Sequence, residues 1–175
     1  MRILVLSIFS TLLLVGCQDI QTKSNPQENQ TTNIIQAEQI ESYLTANIGE
    51  TAFGGNVFCA HVVLANEQQE NVNTLYLWAL CQEMYQNGQQ LEIGTGVSLP
   101  VAIILEKQES SWQIMEHEIP RDGEGFAEDI KRIFPQSIWS EISPSTGKEI
   151  DDYNNRIKML ENEVNIAATQ YFASK

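Results

Sequence analysis

Cations are scarce in this chain: 10 Lys and Arg stand against 23 Asp and Glu in 175 residues, a formal net charge of −13. Such a surface repels phosphate backbones and anionic headgroups, so no nucleic-acid partner and no electrostatic membrane contact are expected. Histidine is reduced to His61 and His117, and cysteine to Cys17, Cys59 and Cys81. No close-spaced cysteine pair stands where a zinc ribbon would need one. No serine sits in a Gly-x-Ser-x-Gly elbow, and Gly94-Thr95-Gly96-Val97-Ser98 lacks the spacing and the lysine of a phosphate loop. Asp122-Gly123-Glu124 is only a fragment of a calcium loop, which alternates oxygen ligands over twelve positions. No catalytic residue, no metal and no cofactor is therefore assigned from the sequence.

Long apolar runs are also missing, except at the very start. Met1-Arg2 precedes Ile3 to Val15, which contains no charge, and Gly16-Cys17 follows. About 13 residues in helix fall short of the roughly 20 that cross a hydrocarbon core. A cationic start, a short apolar stretch and a small residue before a cut make residues 1–16 a signal peptide.

Leu14-Val15-Gly16-Cys17 resembles the lipobox of bacterial lipoproteins. The resemblance covers about the first 20 residues and implies that signal peptidase II cuts before Cys17. It further implies that the Cys17 thiol carries a diacylglyceryl group, with acyl chains such as palmitate holding the protein at the extracytoplasmic side of a cell membrane or outer membrane. Several buried acyl chains anchor stably where one binds only marginally. Removing Arg2 with the signal leaves nine cations against 23 acids, a formal charge of −14 on the mature chain. Its membrane contact is thus expected to come from the lipid.

Residues 17–33 are polar and too poor in large apolar groups to offset the entropy of ordering, which predicts a lipidated flexible tether. Residues 34–175 are long enough for one domain with its own core. Ile35, Ala37, Ile40, Tyr43, Leu44 and Ile48 recur at helical spacing and predict a first helix. The runs Asn56–Asn66 and Thr74–Tyr85, rich in Val, Leu and aromatics, predict a hairpin whose long loop is the polar stretch 67–73. Asn87-Gly88 marks a turn into a third strand within Gln90–Leu105, bent near Gly94, Gly96 or Pro100, and Ser111–Ile119 supplies a fourth.

Phe126, Ile130, Ile133 and Phe134 then return to helical spacing, and Ile138, Trp139 and Ile142 add a short turn. Thr146-Gly147-Lys148-Glu149 has the form of a capping box that opens a long last helix from about 147. An N-terminal helix, a four-stranded antiparallel meander and C-terminal helices define an α+β domain. In outline it is similar to cystatin-like and nuclear-transport-factor-like domains, a likeness of topology without a motif behind it.

A hairpin symmetric about residue 70 sets Cys59 opposite Cys81 on a face shared with His61, Val63, Leu77 and Ala79. Three readings of this group stay open: a disulfide, two reduced core cysteines, or a metal site with Cys59, His61 and Cys81 as weak ligand candidates. A thiol nucleophile paired with His61 or His117 lacks any visible orienting group. Trp78, Trp112, Trp139, Tyr76 and Tyr85 are either core or a ligand-binding stripe. Ile150, Tyr153, Ile157, Leu160, Val164, Ala167 and Tyr171 form a heptad seam on the last helix, which either packs on the protein's own sheet or joins a second copy. The sequence thus points to a lipid-anchored module that binds a protein or envelope component. A small envelope hydrolase or thiol-redox enzyme is the rival.

Overall fold

Helix α1 spans Ala37–Asn47, and the computed structural model of the protein describes residues 35–175. Cys17 and the residues expected to form a signal peptide and a tether lie outside the described residues. Four strands follow, β1 (Asn56–Gln69), β2 (Val72–Asn87), β3 (Gln90–Gln108) and β4 (Ser111–Glu118), in one antiparallel sheet of order β1-β2-β3-β4. Helices α2 (Phe126–Ile133), α3 (Trp139–Ile142) and α4 (Gly147–Ala173) complete the α+β domain. Thr146 and Glu149 form the expected capping box at the start of α4, Thr146 Oγ1 accepting from the Glu149 amide at 3.4 Å and Glu149 Oε2 accepting from the Thr146 amide at 2.9 Å.

The sheet is covered on both faces, which explains why β2 reads as a continuous apolar run rather than an alternating one. On one face Leu75, Leu77, Ala79 and Cys81 pack with Ile40 and Leu44 of α1. On the other, Tyr76, Trp78 and Leu80 pack with Ile130, Leu160 and Val164 of the C-terminal helices. Trp78 and Tyr76 are therefore core, whereas Tyr85 and Trp112 are half-buried.

The seam of α4 is spent on this second face. Leu160 and Val164 are fully buried, Tyr153 meets Trp78 edge-on at 5.1 Å, and Tyr171 meets Phe58 at 5.5 Å. Ala168 rather than Ala167 completes the buried stripe, and Ile150 is left exposed. A second copy is accordingly not supported along that seam, because the protein's own sheet occupies it.

All three hairpins close with two-residue turns, since Gln69 pairs with Val72, Asn87 with Gln90 and Gln108 with Ser111. The expected long loop at 67–73 is therefore strand on both sides of Glu70-Asn71. Glu70 takes the left-handed backbone (φ 51°) that Gly88 takes at the second turn (φ 65°). A glutamate there carries no turn signature, so polar composition alone suggested a loop.

Candidate functional site

Leu64 is the residue that brings the cysteines together. The register set by the Glu70-Asn71 turn pairs Ala65 with Tyr76, and continued without interruption it would set Cys59 against Gln82 on the wrong face. The ladder shifts between Val63 and Ala65, so Leu64 bulges out and Cys59 falls opposite Cys81. Their Cα atoms are 4.1 Å apart and their sulfurs are bonded at 2.09 Å. Cys59 is 7% and Cys81 2% exposed, so the bridge lies inside the α1-side core and its sulfurs are closed to exchange partners.

His61 sits two residues from Cys59 on the same face, its side chain 7% exposed and its Nδ1 3.9 Å from Glu41 Oε1 of α1. That nitrogen has no hydrogen-bond partner among the described residues. Burial pushes the imidazole down to about 4, so it is neutral at pH 7. Burial first, then the neighbouring Glu38 and Glu163, push Glu41 upward. With both thiols consumed by the bridge, Cys59, His61 and Cys81 do not form a ligand set. No group of three His, Cys, Asp or Glu side chains gathers in metal-binding proximity among the described residues.

His117 lies on β4, three strand spacings or about 14 Å from β1, which separates it from Cys59. Its Nδ1 is 2.9 Å from the Tyr43 hydroxyl of α1, tying that helix to the far side of the sheet. Neither histidine therefore stands as a base beside a free thiol.

The sequence reading missed Glu83. It is 0% exposed on β2, on the α1 side of the sheet, at a point where the β2–β3 ladder also shifts register. Its carboxylate accepts the backbone amides of Ala52 (2.9 Å), Phe53 (3.0 Å), Gly55 (2.7 Å) and Thr95 (3.3 Å), and the Thr95 hydroxyl (3.1 Å). Burial alone would raise its pKa, yet these four amides outweigh it and hold the group at about 2. A Cβ on Gly94 would stand 2.6 Å from Glu83 Oε2, and one on Gly55 only 2.5 Å from the Met84 carbonyl, so both glycines are needed for close approach. A lone acid inside an apolar strand was the signal that the sequence offered.

Phe53, held by this carboxylate, stacks on Tyr85 at 5.6 Å and 8° with much of its ring exposed. Asp129 plays a comparable role at the other end, accepting the Arg121 amide (2.9 Å) and Nε (2.7 Å). These bonds and those from Arg132 hold Asp129 well below the usual carboxylate range. Arg156 lies 5.4 Å over both the Trp78 and Tyr153 rings beside Glu141, and burial pulls its pKa down.

Open concavities lie at the β1–β2 tip and along the C-terminal helices. One of about 560 Å³ at the β1–β2 tip is lined by Glu67, Gln69, Glu70, Val72, Thr74 and Tyr76. The Tyr76 hydroxyl donates to Glu67 at 3.2 Å there, so the lining is acidic and already internally bonded. No family model matches the chain. No curated protein and no solved structure matches it either.

Proposed function

We propose that the protein is a lipid-anchored, extracytoplasmic binding module that meets a protein or another envelope component through its surface. The observation that carries the location is the sequence Leu14-Val15-Gly16-Cys17 after a short apolar run. The buried Cys59–Cys81 bridge supports the same compartment, because disulfides persist where no cytosolic reductant reaches them. No helix among the described residues is long and apolar enough to cross a membrane.

Binding through the surface is supported by the packing. Both faces of the sheet are filled by the protein's own helices, so an internal ligand chamber has no room in the described domain. The strongly held acids Glu83 and Asp129 are consumed by structural donors. Neither supplies the poised acid or base that a hydrolase requires.

The mass of the membrane-extracted protein tests the anchor. The wild-type chain is expected to begin at Cys17 and to carry a diacylglyceryl mass, while Cys17→Ala is expected to retain residues 1–16 and carry none. Equal lipid content in the two proteins would remove the anchor from this reading.

A further inference from the structure

The outer edge of β1 is the place where the fold is unfinished. β1 is a sheet edge among the described residues, and no charged side chain occurs from Asn56 to Asn66. Exposed edge strands are normally guarded by lysine, proline or a covering element. Among the described residues the Leu64 bulge interrupts this edge and leaves Asn56–Val63 regular.

Which backbone groups face outward follows from two independent features. Antiparallel pairs with Cα atoms near 4.5 Å lack mutual hydrogen bonds, and Cys59–Cys81 at 4.1 Å is such a pair. The amide and carbonyl of Cys59 therefore point away from β2. Pro100 on β3 agrees, since it pairs with Trp78 and has no N–H to give. Trp78 must then direct its groups to Val62 on β1, making Phe58, Ala60 and Val62 the inward-bonded residues. Val57, Cys59, His61 and Val63 thus present four N–H and four C=O groups outward.

The side chains around this ladder are unevenly covered, with Cys59, Ala60 and the His61 side chain buried and the residues on either side less so. Val57 and Val63 on the α1 side, and Phe58 and Val62 on the α4 side, are only partly buried although each borders a core. α1 and α4 pack on β1 from opposite faces and form the two walls. The walls are acidic: Glu38 and Glu41 stand on α1, and Glu163 on α4 lies close enough to bear on Glu41. The unpaired Nδ1 of His61 lies on the same wall as Glu41.

We propose that this edge takes up an extended polypeptide segment of a partner protein as a fifth strand, with alternating apolar side chains and a lysine or arginine opposite His61. Backbone pairing supplies the affinity and the alternate side chains the selectivity. The cation answers Glu41 and its acidic neighbours. A second copy fits less well, because it would bring another −14 charge and a second set of the same carboxylates to the edge. This deepens the binding-module reading by naming its face, but it does not depend on the lipid.

The test uses the full mature chain in detergent micelles and a capped nonapeptide, Thr-Val-Thr-Val-Lys-Val-Thr-Val-Thr. In the free protein, amide hydrogen exchange is expected to alternate along β1, fast at Val57, Cys59, His61 and Val63 and slow at Phe58, Ala60 and Val62. Adding the peptide is expected to slow the four fast amides. Replacing its lysine by glutamate, or Glu41→Lys in the protein, is expected to weaken binding about tenfold, and backbone N-methylation of alternate residues to abolish it. Absence of peptide protection would overturn the proposal while leaving the Cys17 result untouched. Slow exchange at all seven amides in a free protein that scatters light as a dimer would instead assign the edge to a second copy.

Discussion

Glu83→Gln is expected to lower the melting temperature by on the order of 10 °C and to abolish part of the acid sensitivity of the fold. The glutamine keeps the shape of the side chain but presents one N–H₂ group to amides that are themselves donors, so at least one of Ala52, Phe53, Gly55 or Thr95 loses its acceptor. The segment from Gly49 to Gly55, which links α1 to β1, then loses its attachment to the sheet. Its amides should lose protection from exchange before those of β2.

The pH dependence has a fixed sign. Glu83 is depressed to about 2 from an ordinary 4.5, so the unfolded chain binds its proton first as the pH falls. Its stabilisation is present above about pH 4.5 and is lost on descending toward about 2. Subtracting the acid melting curve of Glu83→Gln from that of the wild type isolates this window. His61, lowered to about 4 by burial, destabilises the fold between about pH 6.5 and 4 in both proteins and cancels in the difference. A wild-type-minus-variant curve that stays flat from pH 4.5 to 2 would show that Glu83 is not held as the geometry implies.

How far the sequence exposed this structure depends on the kind of interaction. Helical spacing around Leu44 and Leu160 and the apolar runs of β1 and β2 were legible because burial on a known period leaves a local trace. Glu83 was not, since its meaning comes from Ala52, Phe53 and Thr95, which are brought to it only by the fold. The Glu70-Asn71 turn was hidden because a glutamate occupies the left-handed position. The pairing of Cys59 with Cys81 is more instructive. A loop centred on residue 70 gives that pairing on paper, whereas the real turn is centred between Glu70 and Asn71 and the Leu64 bulge restores the register. Two errors of one residue cancelled. The heptad pattern of α4 likewise could not say whether a foreign helix or the protein's own sheet covered it, because both satisfy the same period.

Removing the bridge by the double substitution Cys59→Ala and Cys81→Ala is expected to cost about 3 kcal/mol, as estimated for a closed loop of this size. The two cysteines are 22 residues apart and join adjacent strands, so the fold and the register should survive. Hydrophobic pairing of Val63 with Leu77 and Ala60 with Leu80 fixes the same alignment without the sulfurs. The melting temperature should fall by roughly 10 °C, with near-native circular dichroism below the transition. Replacing Cys59 alone leaves Cys81 as a buried thiol and should cost a similar amount, because the covalent closure rather than either side chain supplies most of the effect. Thiol titration of the unreduced wild-type protein in denaturant gives the complementary reading. No thiol is expected from Cys59 or Cys81 before reduction and two after it, and two reactive thiols in the unreduced protein would return these cysteines to the redox and ligand roles that the bridge now denies them.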